Sequence, residues 1–316
     1  MRRTRIVAGL VLAMALLLGA CGSDDPAIDT GDSGTDTTAA STAPPEFEAG
    51  TTMAEIQAEG KLVVGTKFDQ PGFGLKNPTN GQVEGFDVEI AEIIATAIFG
   101  GTVEDVASKI EFVESVSKNR EPFIQDGKVD IVAATYTIND TRKQIVDFAG
   151  PYFVAKQDIM VKTDDSTISS VEDLEGKKVC TVKGSTSEKN VRAKAPGAEV
   201  TLFDTYSQCA EALTDGRVVA VTTDNTILAG LVQASGDSFK LVKAPFSDEP
   251  YGIGLAKDNQ DFRDFINDTL EESFESGDWA AAFESTLGAI GLETPEPPSI
   301  DRYANTGAAP ATTAAP

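Results

Sequence analysis

Lys178-Val179-Cys180-Thr181-Val182-Lys183-Gly184-Ser185-Thr186-Ser187-Glu188 is the stretch on which the fold turns. Apolar and β-branched residues of strand length give way to a loop of glycine and hydroxyl side chains, and a helix is expected to run on from Glu188. The same grammar is met earlier in the chain. Lys61-Leu62-Val63-Val64-Gly65-Thr66 reads as a buried strand ending in a turn. Gly85-Phe86-Asp87 then leads into Val88 to Ile98, with apolar residues at helical spacing, closed by Gly100-Gly101. Lys109 to Val113 is a second strand, Arg120 to Gln125 a short helix, and Val129 to Ala134 a third strand. After the glycine loop come a strand at Val200 to Phe203, a helix at Ser207 to Leu213 and a strand at Val218 to Val221. Two successive strand–helix–strand units predict an α/β chain of two lobes with right-handed crossovers and a cleft between them. Ligands of open α/β sheets sit beyond the carboxyl ends of the strands. Those ends are Thr66–Phe73, Thr135–Thr137, Lys183–Ser187 and Thr222–Asp224.

Composition narrows the chemistry. The 316 residues are 41% hydrophobic, enough for a sizeable core and against wholesale disorder. With 26 basic and 50 acidic residues the net charge is −24, a body that repels nucleic acid and anionic lipid while leaving room for a locally basic pocket. There is no histidine. Ser-His and Cys-His nucleophile pairs, histidine bases and most zinc sites are thereby excluded, and no metal or cofactor is expected.

The N-terminus sets the compartment. Arg2, Arg3 and Arg5 precede an apolar run from Ile6 to Leu18, too short to span a bilayer, and Leu18-Gly19-Ala20-Cys21 follows. This resembles a bacterial lipobox, so residues 1–20 are expected to be a signal peptide and Cys21 the lipidated first residue of an extracytoplasmic protein, anchored to the outer face of the cytoplasmic membrane. Residues 21–50, rich in Asp, Thr, Ser, Ala, Gly and Pro, are expected to be a disordered tether with a span of roughly 30 Å. A second disordered tail is expected over residues 293–316. In an oxidising compartment the two remaining thiols, Cys180 and Cys209, are expected to form a disulfide.

The motifs of the body, in order, carry a resemblance. They are Leu62-Val63-Val64-Gly65-Thr66, Gly85-Phe86-Asp87-Val88, Gly127-Lys128-Val129-Asp130, Thr137-Ile138-Asn139-Asp140-Thr141-Arg142, Val146 to Tyr152, Leu174-Glu175-Gly176-Lys177, Gly184 to Glu188, Gly216-Arg217-Val218, Asp224, Ile227 to Gly230, and Pro250-Tyr251-Gly252-Ile253. The set resembles the family-3 solute-binding proteins that deliver polar amino acids to ABC importers, and within them the lipid-anchored glutamate-binding proteins of high-GC Gram-positive bacteria. The resemblance implies two Rossmann-like lobes joined by a two-strand hinge, the periplasmic-binding-protein type II fold, with the ligand in the cleft. The first lobe is then expected at 51–151 and 246–292 and the second at 152–245, with hinges near Gly150–Phe153 and Phe246–Gly252.

Each group of an α-amino acid needs a counterpart. Arg142 can grip the α-carboxylate with two parallel bonds. Thr135 and Thr137, two apart on an extended chain, are expected to meet the ammonium with a carbonyl and the carboxylate with a hydroxyl. Asp224, costly after an apolar strand unless paired, suits the ammonium. Ser185 and Thr186, before a helix, would complete the carboxylate cradle from the second lobe. Phe73 and Tyr206 are the candidate aromatic walls. Lys67 and Arg120 remain for the ligand's side chain, which points to an acidic amino acid, glutamate ahead of aspartate, with glutamine or asparagine as the alternative. The expected partner is a membrane permease and the expected state a monomer. A sensor that reports amino acids to a membrane partner is a second class. A dehydratase-like enzyme is a third, disfavoured because no second acid accompanies Asp224.

Overall fold

The structure, a computed structural model, describes residues 44–303; the expected signal peptide, Cys21 and most of the expected tether lie outside them. Among the described residues no helix is long and apolar enough to cross a membrane. Strand β1 (Leu62–Thr66) is followed by a small antiparallel sheet of β2 (Asp69–Gln70), β3 (Gly74–Lys76) and β4 (Val83–Glu84). The main sheet continues with β5 (Ile110–Glu114), β6 (Ile131–Val132), β7 (Asp147–Lys162), β8 (Lys178–Val182), β9 (Glu199–Phe203), β10 (Ala220–Asp224), β11 (Phe239–Leu241) and β12 (Ser247–Leu255).

Its order is β5-β1-β6-β12-β7-β10-β8-β9, with β11 paired to β7. At one end β1 lies between β5 and β6, all parallel; at the other β8 lies between β9 and β10, again parallel. The repeated grammar of the sequence is thus a repeated topology. Helices on both faces explain why β1 and β8 are nearly continuous apolar runs. β7 and β12 join the two halves. The first part of β7 pairs antiparallel with β12 from Asp147↔Leu255 to Gln157↔Ser247, and its last part pairs with β10 from Gln157↔Asp224 to Val161↔Ala220. The pairing slips between Tyr251 and Ile253. A side chain at Gly252 would bring its Cβ to 2.7 Å from the Ala149 carbonyl oxygen, and Gly150 across the ribbon has φ +108°, so glycine is needed on both strands.

A cluster of edge-on rings fastens this ribbon to the first half. Phe73 packs against Phe86 and both against Phe153, Phe86 against Trp279 and Phe283, and Phe73 against Tyr251, with centroids 5.6–6.4 Å apart. Trp279 Nε1 donates to the Tyr152 carbonyl at 2.8 Å. In the second half, Cys180 of β8 is bonded to Cys209 of the helix Tyr206–Thr214, as expected, with Cα atoms 5.5 Å apart.

Several elements differ from expectation. The helix after the glycine loop starts at Thr186, because Ser185 caps it by accepting from the Glu188 N–H. The third strand of the second half is Ala220–Asp224, two residues later than its apolar run, since Thr222 and Thr223 pair with Ile159 and Asp158. The third strand of the first half narrows to Ile131–Val132, ending before Thr135, whose φ is +44°.

The described parts of both segments expected to be disordered, residues 44–50 and 293–303, are packed on the body. Phe47 packs edge-on against Phe265 at 5.4 Å, and Gln57 Nε2 donates to the Pro45 carbonyl at 3.0 Å. At the other end the Asp301 N–H donates to Gly150 O at 2.8 Å, and the Phe148 N–H donates to the Tyr303 hydroxyl at 2.8 Å. Arg302 pairs with Asp268 and Glu271, each at 2.6 Å. Single apolar anchors, Phe47, Ile300 and Tyr303, hold stretches whose composition otherwise argues for disorder. Residues 304–316 lie outside the described part.

Candidate functional site

Between the carboxyl ends of the two halves lies a cavity of about 10 Å³. Ser117, Arg120 and Thr135 line it from the first half; Ser185, Thr186, Ser187, Tyr206, Asp224 and Ile227 line it from the second. Such a volume holds about one water. An amino acid requires the halves to part. Across the cleft, Asp69 Oδ2 accepts from the N–H of Tyr206 at 2.8 Å, Lys118 pairs with Asp204 at 2.6 Å, and Arg142 Nη2 donates to Gly184 O at 3.3 Å.

The first half brings cations that rest on neutral oxygens. Arg120 Nη1 donates to the carbonyls of Ala134 and Thr135, both at 3.1 Å, and Nε to Ser117 O at 3.3 Å. Burial lowers its pKa to about 10, with the charge of Arg142 adding to the effect. Lys67 Nζ donates to Ser117 Oγ at 2.8 Å. Burial holds this amine down to about 7, helped by Arg120 and opposed by Asp69 and Asp87. Thr135 is held in its left-handed conformation by Asp87, whose Oδ2 accepts the Thr135 N–H at 2.9 Å while Oδ1 accepts from the Tyr152 hydroxyl at 2.5 Å. Burial pushes the Asp87 carboxyl up to about 6, the Tyr152 hydroxyl opposing it.

The second half brings an acid and a helix start. Asp224 ends β10; its Oδ2 accepts from the Tyr251 hydroxyl at 2.5 Å, while Oδ1 is buried with no partner. Burial pushes its carboxyl up to about 7, the charge of Glu249 adding and the Tyr251 hydroxyl opposing. Ser185 and Thr186 stand at the start of the helix Thr186–Lys194, whose first N–H groups have no partners within the helix. Tyr206 lies on the wall, its hydroxyl 3.4 Å from Ser187 Oγ.

Of the residues singled out from sequence, Arg120, Thr135, Ser185, Thr186, Tyr206 and Asp224 line the cavity, and Lys67, Thr137, Arg142 and Phe73 do not. Phe73 belongs to the aromatic cluster, packed on Phe86, Phe153 and Tyr251, so Tyr206 is the aromatic that walls the cavity. Arg142 donates to Glu121 at 3.1 Å and to the Thr137 carbonyl at 2.6 Å. The Thr137 hydroxyl donates to Glu249 at 2.8 Å, as does that of Thr186 at 2.6 Å. Sequence reasoning passed over Glu249, a buried carboxylate on β12 that takes hydroxyls from both halves and also accepts from Asn190 and Ser247. It follows Ser247 and Asp248 on that strand, so in sequence it looks like part of a polar strand start. Asp87 and Ser117 were passed over too; the one sits in a quoted motif, the other three residues before Arg120.

Comparison with known proteins gives a consistent picture. Residues 62–289 match the model of the bacterial extracellular solute-binding proteins, family 3. The chain is 44% identical over 242 residues to the glutamate-binding protein GluB of Corynebacterium glutamicum, covering 75% of this chain and 81% of that protein. It is likewise 44% identical over 227 residues to the ABC transporter glutamine-binding protein GlnH of Bacillus subtilis, covering 72% and 81%. Among solved structures, an ancestral arginine-binding protein bound to glutamine is similar at 40% identity and a TM-score of 0.66, covering 72% of this chain and 98% of that one.

Proposed function

The chain belongs to the bacterial extracellular solute-binding proteins of family 3, and on that premise we propose that it captures an acidic amino acid, glutamate ahead of aspartate, and delivers it to the permease of an ABC importer. It is a binding protein and not an enzyme. The observation that carries the acidic ligand is the pair Lys67 and Arg120. Both are buried at one end of the cleft, and both donate to neutral serine, threonine and alanine oxygens. Buried charge is normally paired, and a side-chain carboxylate entering beside them supplies the missing anion. At the opposite side the unpartnered Asp224 Oδ1 suits the ammonium, and the opening N–H groups of the helix Thr186–Lys194 suit the α-carboxylate. Capture closes residues 152–245 onto residues 51–151 and 246–292.

A calorimetric screen of the twenty amino acids tests the ligand. Glutamate should bind most tightly, and Arg120→Ala should weaken it by about ten- to a hundredfold while affecting glutamine much less. A glutamine-binding importer subunit is the second reading, favoured by relatives named for glutamine at the same identity as those named for glutamate; tighter binding of glutamine would establish it. Cys21 is assigned as the lipid anchor on the outer face of the cytoplasmic membrane, with the protein acting as a monomer. Cys21→Ala should then free the protein from the membrane fraction. Uptake of labelled glutamate that persists in cells lacking the protein would favour a sensor.

A further inference from the structure

We propose that the turn Asp69–Pro71 of the first half is a latch that holds the cleft shut by seating on two helices of the second half, outside the ligand cavity. The proposal rests on capture of an amino acid between the halves, whichever amino acid that is. Gly230, the last residue of the motif Ile227 to Gly230, lies inside the helix Asn225–Ala234. Glycine is the poorest choice there after proline, and no left-handed backbone requires it. A Cβ at this position would overlap the carbonyl oxygen of Pro71, which belongs to the other half. The helix gives up propensity for a close backbone approach that exists only when the halves meet.

Asp69, two residues earlier, makes the second contact. Its Oδ2 accepts from the N–H of Tyr206 at 2.8 Å and from that of Ser207 at 3.4 Å. These are the first two N–H groups of the helix Tyr206–Thr214, whose own cap, Thr205, serves Gln208. Opening N–H groups have no partner within a helix, and here a carboxylate from the first half supplies one, favoured by the helix dipole. The turn itself is firm: the Phe73 N–H donates to the Gln70 carbonyl at 3.1 Å, and the Phe73 ring is fixed in the aromatic cluster. Both landing helices begin at the cavity, for Tyr206 opens one, and Asp224 precedes the other with Ile227 in its first turn. Asp69, Pro71 and Gly230 do not line that cavity. Seating the turn therefore brings the walls of the second half onto a ligand without touching it, and it favours the shut form equally for every ligand.

The test compares the unaltered protein with Gly230→Ala, Asp69→Ala and Asp69→Asn in the full chain. Affinity and dissociation rate are measured for glutamate and glutamine, and denaturant unfolding is followed without ligand. Gly230→Ala should weaken both ligands by about tenfold or more, leave the ratio of the two unchanged, and act through faster dissociation. Its ligand-free midpoint should stay or rise, because alanine is the better helix former. Affinity lost while stability is kept is a readout that a merely structural role does not give. Asp69→Ala should weaken glutamine by about tenfold, with Asp69→Asn, which keeps an acceptor, in between. Unchanged affinity in Gly230→Ala, or a lower ligand-free midpoint, overturns the role of Gly230. Unchanged glutamine affinity in Asp69→Ala overturns the role of Asp69. A loss in Gly230→Ala confined to one ligand overturns the latch in favour of side-chain recognition. Binding of neither amino acid by the unaltered protein instead overturns the proposed function, and the latch with it.

Discussion

The two halves of the sheet share one strand order but end in opposite chemistry. Around β1 the carboxyl ends lead to Lys67, Arg120 and, set back, Arg142; around β8 they lead to helix-capping hydroxyls and Asp224. Lys67 and Arg120 donate to hydroxyl and carbonyl oxygens, while Asp224 of the second half keeps one oxygen without a partner. A repeated scaffold has been given unlike charges, and neither half alone neutralises a ligand that carries both signs. Contacts to both halves exist together only when the cleft is shut, so such a ligand favours the shut form by the difference.

The largest expected asymmetry is covalent. The disulfide lies wholly in the second half and joins residues 29 apart in sequence, a loop whose closure is worth about 3–4 kcal/mol. Replacing Cys180 and Cys209 by serine should lower the unfolding free energy by about that amount. The only tryptophan, Trp279, sits in the aromatic cluster of the first half and should report a later denaturant midpoint than circular dichroism of the whole chain. An unchanged midpoint by both probes would break the contrast. Next in size is Asp224→Asn, which removes the ionised acceptor and should weaken glutamate and glutamine alike by about a hundredfold or more. Loss of glutamate alone would mean that the ends of the ligand are assigned the wrong way round.

The smallest effect concerns pH, and here the halves should pull in opposite directions. Asp224 is held up to about 7 and pairs with an ammonium only when ionised. Affinity for any amino acid should thus fall by up to about tenfold per pH unit below 7. Lys67 is held down to about 7 and loses its charge above that value, so on the alkaline side glutamate should lose affinity and glutamine should not. Titrations from about pH 5 to about pH 9 separate the two limbs. Identical profiles for the two ligands would remove Lys67 from the site.

The strand–helix alternation was legible because buried parallel strands leave continuous apolar runs, and the helix Arg120–Gln125 has the bounds read from sequence. Where hydroxyls extend a strand, as at Thr222 and Thr223, apolarity gave too early an end. Asp224 was legible as a charge that an apolar setting does not tolerate unpaired, and Arg120 as a cation left over once the ligand's α-groups were served. Phe73 was not, since an aromatic near a strand end looks the same in one dimension whether it faces a cavity or a core. Nor was the direction of the Thr137 proton, which depends on Glu249, 112 residues away. The packing of residues 293–303 was hidden because two or three anchors among prolines do not alter composition.

That tail and the N-terminal segment share an attachment. Phe47 seats on the helix Gln260–Ser276, Tyr303 on the beginning of β7, and Arg302 on the same helix. A pull entering the body at either end is therefore taken up by the first half, and its line of force need not cross the cleft. The second half hangs from β7 and β12 and carries none of that load, free to swing while its counterpart is held.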